Sequence, residues 1–224
     1  MSTPAARSLR EPETHGFIYL GLHSKQRSLA PLYQQTKTRH DAAARLIKTA
    51  TRLEKEPEVT TVRVFRTHLV PPLPHAPRHD LALLVRTENV ADIARVRESE
   101  TVKALAATEL ILGTNAARIG DTESDDTGHF LFNHFTVTGT ADPVEAWLGL
   151  TDWYTAIMGV DNSTALRALD ETSRFPLVNY VRLPTAPAVF LLNQLRRPSF
   201  HRVVRGTLKS RQMRSLPGFY RMIR

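Results

Sequence analysis

The sequence predicts an α+β fold made from one unit used twice, and three observations carry that prediction. The stretch His129–Gly139, HFLFNHFTVTG, alternates as a strand does, with Phe130, Phe132, His134 and Thr136 on one face and Leu131, Asn133, Phe135 and Val137 on the other. Laid over it with Phe17 on Phe130, the stretch Gly16–Ser24, GFIYLGLHS, divides in the same way: Ile18, Leu20 and Leu22 apolar, Tyr19 and His23 mixed. The elements that follow each of these two strands then run in the same order, β-α-β-β-α-β.

In the first unit, residues 15–113, strand Gly16–Ser24 comes after a leader, 1–14, rich in Ser, Thr, Pro and charge. From Ala30 to Glu56 apolar positions recur every three or four residues until Pro57, which predicts one long amphipathic helix. Val59–Val70, rich in Val and Thr, reads as a strand and PPLPHAP as a rigid turn. His79–Arg86 is a third strand, Val90–Ala107 a second helix and Glu109–Gly113 a short fourth strand. An acidic linker, 114–128, holds Asp121, Glu123, Asp125 and Asp126.

The second unit, 129–224, opens on His129–Gly139. A helix over about Asp142–Met158 has Asp142 or Thr140 to cap it and Pro143 at its first position. Strands follow at Asn162–Leu169 and Phe175–Leu183, helices at Ala186–Leu195 and Ser199–Gln212 broken by Pro198, and a last strand at Gly218–Ile223.

Composition excludes several classes. The chain has 224 residues, 42% hydrophobic and 23% charged, as in a globular protein with a real core. It has no cysteine, so thiol chemistry, disulfides and cysteine metal sites are excluded, and a cytoplasmic location is expected. No stretch approaches the roughly 20 apolar residues of a membrane span. The net charge of +8 is concentrated: beyond Glu171 there is no acidic residue, while eleven Arg and Lys run from Arg174 to Arg224. Such a field attracts an anionic partner, a solvated basic face being the plain alternative. An anionic small molecule or an acidic carrier protein suits it. Nucleic acid does not, for only Phe200, Phe219 and Tyr220 are interleaved with the charges.

This order of elements, with the HFLFNHF and FPLVNYVRL strands, resembles the dimeric α/β-barrel superfamily, in which two ferredoxin-like units pack sheet to sheet; here both lie in one chain, and a homodimer is a further expectation. The second half is also similar to uncharacterised actinobacterial proteins, through FLFNHF, WLGLTDWYTAIMG and VDNSTAL. The superfamily resemblance implies a cavity between two sheets, used for cofactor-free oxygenation, isomerisation or cyclisation of aromatic and polyketide-like molecules, or for holding haem.

Under that fold Ile18, Leu20, Leu22, Leu131, Phe135 and Val137 belong beneath helices, and the opposite faces line the cavity. His134 is then the expected general acid/base, Arg182 the anion holder and Tyr180 a hydrogen-bond donor to the same oxygen. Tyr19, His23, Phe132 and Thr136 are expected to touch the substrate. Asn133 and Asn179, which interrupt apolar strand faces, are expected to meet beneath the helices and bond each other or the backbone. No metal site is expected, His68, His75 and His79 lacking carboxylates at ligand spacing. The resemblance also implies haem as the alternative to a cofactor-free site, with His201 or His134 as its axial ligand and Arg182 or Arg202 near bound oxygen or a propionate. The GxxDG motif of dye-decolourising peroxidases is absent, as are GxGxxG, P-loop, HExxH and GxSxG motifs.

Overall fold

The computed structural model describes residues 9–24, 32–124 and 128–224. The first half contains strands β1 (Leu9–Arg10), β2 (Gly16–Leu22), β3 (Val59–Leu69), β4 (Leu81–Thr87) and β5 (Thr108–Ile119). The second contains β6 (His129–Val137), β7 (Ser163–Ala168), β8 (Leu177–Arg182) and β9 (Met213–Met222). Neighbouring strands run β2-β4-β3-β9-β6-β8-β7-β5, and β5 pairs with both β7 and β2, so eight antiparallel strands close into a barrel. The two halves are therefore joined edge to edge through β3–β9 and β5–β7 as well as facing each other across the interior.

Closure depends on two strands being longer than the sequence suggests. β5 continues past Gly113 to Ile119, through the first part of the expected linker, because its alternating Asn115, Ala117 and Ile119 face is buried as it pairs with β7. Gly113 sits where β5 leaves β2 for β7, and a Cβ there would strike the carbonyl oxygen of Arg167. β9 begins at Met213, five residues before the expected Gly218, since Met213 and Leu216 are buried against β6. Part of the expected leader is also built in: Leu9–Arg10 pairs with Ile119 and Arg118, and the backbone N–H of Glu13 donates to Asn115 Oδ1 at 2.9 Å. Residues 1–8, and Asp125 and Asp126 of the linker, lie outside the described residues.

Helices cover the outside. α1 (Lys37–Leu53) starts later than the expected Ala30 because the Thr36 side chain accepts from the Arg39 N–H and fixes the first turn there. Its Ala43, Leu46, Ala50 and Leu53 pack on Ile18, Leu20, Val62, Val64, Leu83 and Val85 as one cluster, each buried leucine contributing about 1.5–3 kcal/mol. The expected second helix is three short pieces, a 3-10 turn (Val90–Asp92), α2 (Ile93–Glu98) and α3 (Glu100–Lys103), because Ser99 turns extended and caps the third. In the second half α4 (Pro143–Met158) runs as expected: Asp142 Oδ1 accepts from Val144 and Glu145, Pro143 opens the helix, and Gly159 closes it at φ 67°. α5 (Pro187–Leu195) follows, and beyond Pro198 a π-helical turn (Phe200–Arg205) leads into α6 (Gly206–Ser210). No helix among the described residues is long and apolar enough to cross a membrane.

Candidate functional site

Strand parity places the expected residues as the sequence divides them, but what surrounds them differs. Tyr19, Phe132, His134 and Tyr180 all point into the barrel, on strands paired Phe132 to Tyr180 and His134 to Val178. Tyr19 stacks on Phe132 at 4.7 Å, and Phe132 on Tyr180 at 5.3 Å. His134 lies over Tyr19 at 5.6 Å and beside Phe175 at 5.1 Å. Phe17, Phe65, Phe130 and Tyr220 complete the packing, each fully buried. The expected hollow is filled by these rings, which are large enough to occupy the bore of an eight-stranded barrel.

Burial sets the chemistry of these groups. His134 has 0% exposure, and its Nδ1 lies 3.0 Å from the carbonyl oxygen of Leu216, to which it donates; Nε2 is buried with no hydrogen-bond partner. Burial, with the Arg174 charge adding and the Leu216 bond opposing, pulls its pKa down to about 4, so the ring is neutral at pH 7. His79 is pulled to about 3, mainly by burial, and its Nε2 is 3.0 Å from the Tyr220 hydroxyl, which in turn is 3.4 Å from that of Tyr19. Burial first, then Tyr220, raises Tyr19 well above the ordinary phenol value.

The other expected residues sit at the barrel ends. The Tyr180 hydroxyl donates to Glu123 at 2.7 Å, and burial, then Glu123, pushes its pKa far up. Glu123 also pairs with Arg86 at 3.0 Å and Arg63 at 3.5 Å. Arg182 is half-buried and donates to Ser124 Oγ at 3.0 Å. Thr136 is half-buried opposite Arg214, and His23 is exposed beyond the end of β2 rather than on the interior wall.

A cleft of about 1060 Å³ lies on the opposite surface of the sheet, between the outer faces of β6–β9 and helices α4, α5 and α6. None of Tyr19, Phe132, His134 and Tyr180 lines it. Its walls are Leu131, Phe135, Trp147, Leu150, Tyr154, Val181, Phe190 and Phe200, which belong to three small clusters instead of the single one seen under α1. Its floor carries a polar stripe across the strands. Asn133 and Asn179 are cross-strand partners beneath the helices, as expected, but each bonds a serine: Ser215 donates to Asn133 Oδ1, and Asn179 Nδ2 donates to Ser163 Oγ at 3.0 Å.

The mouth is cationic. Leu195, His201, Arg205, Lys209 and Arg214 line the cleft and are exposed, apart from any Asp or Glu, none of which lines it among the described residues. His201 lies on the π-helical turn with Nε2 2.8 Å from the carbonyl oxygen of Leu195 and Nδ1 3.4 Å from Arg205 Nη1. Neither ring nitrogen is free for an iron in this arrangement, so the donor set does not fit haem as it stands. Among the described residues no group of His, Asp and Glu is placed to hold a metal ion. Alternation marks the two asparagines in the sequence, and the aromatic spacing of α4 is visible there, while the gap above it depends on how α5 and α6 are set.

No protein-family profile matches the chain, and no curated protein sequence does. Solved structures do. A protein described as anthrone oxidase-like superimposes with a TM-score of 0.58 at 12% identity, over 95% of this chain and 92% of that one. A variant chlorite dismutase from Candidatus Nitrospira defluvii gives 0.50 at 12% identity, over 94% and 92%. A candidate monooxygenase from Lactobacillus acidophilus gives 0.50 at 11% identity, over 94% of both chains. At these identities the likeness is one of fold, and the fold is the ferredoxin-like α+β barrel expected from the order of elements.

Proposed function

We propose that the protein binds a flat, largely apolar aromatic molecule of polyketide type in the cleft beneath α4, α5 and α6, and acts on it by cofactor-free oxygenation, isomerisation or cyclisation. The observation that carries this reading is the cleft itself: about 1060 Å³, walled by aromatic and aliphatic side chains, with a polar floor and a mouth lined by basic residues. That is the makeup of a small-molecule site. The anthrone oxidase-like and monooxygenase likenesses support the reaction class, although they speak directly only for the fold. The basic mouth also suits an acidic carrier protein as the source of the molecule.

Trp147 lines the cleft, so its fluorescence reports occupancy. Titration with an anthraquinone carboxylate should quench it in the wild type and fail in Val181→Trp, which puts a second indole into the cleft. Equal binding by the filled variant moves the site elsewhere. If the site is instead in the barrel, turnover will fall in His134→Gln while Val181→Trp stays active.

Haem, the alternative implied by the superfamily resemblance, is not supported by this donor set, because Leu195 and Arg205 engage both ring nitrogens of His201; a Soret band on adding haemin, lost in His201→Ala, would overturn that.

A further inference from the structure

We infer that the cleft selects a hydroxylated aromatic acid, whose hydroxyl donates to the side-chain oxygen of Asn179 on the floor and whose anionic group lies at the mouth. The inference rests on the cleft being the binding site, and adds to it the polarity of the ligand.

Asn179 is 7% exposed, and its Oδ1 is buried without a hydrogen-bond partner. Two neighbouring polar atoms are committed: Asn179 Nδ2 donates to Ser163, and Asn133 Oδ1, across the strand pair, accepts from Ser215. An amide oxygen left in that state costs the fold free energy. It is satisfied when a donor enters the cleft, which Asn179 lines, and the amide turns its oxygen toward it. A second buried oxygen without a partner, Thr155 Oγ1, lines the same cleft from α4. Two such atoms on opposite walls of one apolar space call for a ligand with polar hydrogens on its body.

The mouth asks for the opposite charge. Arg205 and Lys209 are exposed there, and among the described residues neither is paired with a carboxylate. An acid with a hydroxyl at its far end meets both demands. A metalloporphyrin supplies carboxylates for the mouth but no donor on its periphery for Asn179.

The test compares three probes by Trp147 quenching: an anthraquinone carboxylate with a hydroxyl on the ring remote from the acid, its methyl ether, and its carboxylate methyl ester. The wild type should bind the hydroxy acid about ten-fold more tightly than the ether, one hydrogen bond's worth. Asn179→Leu should erase that difference, and the ester should lose the salt dependence that the acid shows. The comparison of acid and ether in the wild type stands even if the Asn179→Leu variant does not fold. Equal affinity for acid and ether in the wild type overturns the assignment of Asn179 while leaving the cleft as the site. If none of the three binds, the assignment and the reading of the cleft both fall.

Discussion

The hydroxyl of Tyr180, projecting from inside the barrel, donates at 2.7 Å to the carboxylate of Glu123, which belongs to the acidic segment between the two halves. That one contact turns the segment from a passive tether into a closure for one end of the barrel. Arg86 and Arg63 hold the same carboxylate from the rim, and although burial works against the Arg86 charge, Glu123, Tyr180 and Glu13 together raise its pKa.

Removing the acid should therefore cost more than removing the phenol. Glu123→Ala leaves two partly buried guanidinium groups facing each other and the Tyr180 hydroxyl without its acceptor, a loss of about 3 kcal/mol. Tyr180→Phe leaves Glu123 still paired with arginine and should cost about 1 kcal/mol. Urea unfolding of the two variants gives the order directly, and the reverse order would show that Glu123 does not close the barrel.

Arg39 is the most heavily used polar side chain at the other end. Fully buried, it donates to the carbonyl oxygens of Tyr33, Gln34, Thr67 and Asp80 and pairs with the Asp80 carboxylate. Arg39→Met should destabilise by on the order of 3–5 kcal/mol, because carbonyls and a carboxylate are left buried without donors. Lys37→Met, which removes an exposed i,i+4 pair with Asp41 on the same helix, should stay within about 0.5 kcal/mol.

The buried histidines make stability depend on pH in a defined direction. His134 and His79 have folded pKa values of about 4 and about 3, both below the ordinary 6.5. Between 6.5 and about 4 the unfolded chain binds protons that the folded chain does not, so stability falls as pH drops through that window and is at its fullest above it. The two groups should give a slope approaching two protons near pH 5, and His134→Leu should remove about one of them. A wild-type slope near zero would show that the rings are solvated.

Gly113 lies at the seam where β5 exchanges one partner strand for the other. Its missing side chain makes room for the carbonyl of Arg167, a backbone atom that cannot move aside as a side chain would. Gly113→Ala should cost about 3 kcal/mol or more and speed hydrogen exchange along β7. Normal exchange in that variant would place the closure elsewhere.

The legible part of this fold was the part governed by period. Alternation assigned Phe132, His134 and Tyr180 to one face and Asn133 and Asn179 to the other, and local capping chemistry set α4 between Asp142 and Gly159. Long-range choices were not legible. Nothing local says that β5 should run past Gly113 or that β9 should start at Met213, since those residues become strand only by pairing with segments about 50 to 80 residues away. The same limit hid the cleft. Parity says which face a residue takes but not whether the space before it is filled, and here the interior is packed with rings whereas the outer face holds the cleft.

The central claim, that a ligand sits outside the barrel over the second half of the sheet, is tested most directly by a crystal structure of the protein with a hydroxylated anthraquinone carboxylate. Density for the probe should lie between Trp147 and Phe200, with its hydroxyl against Asn179 and its carboxylate toward Arg205 and Lys209. Density among Tyr19, Phe132 and His134, with those rings displaced to admit it, would contradict the account.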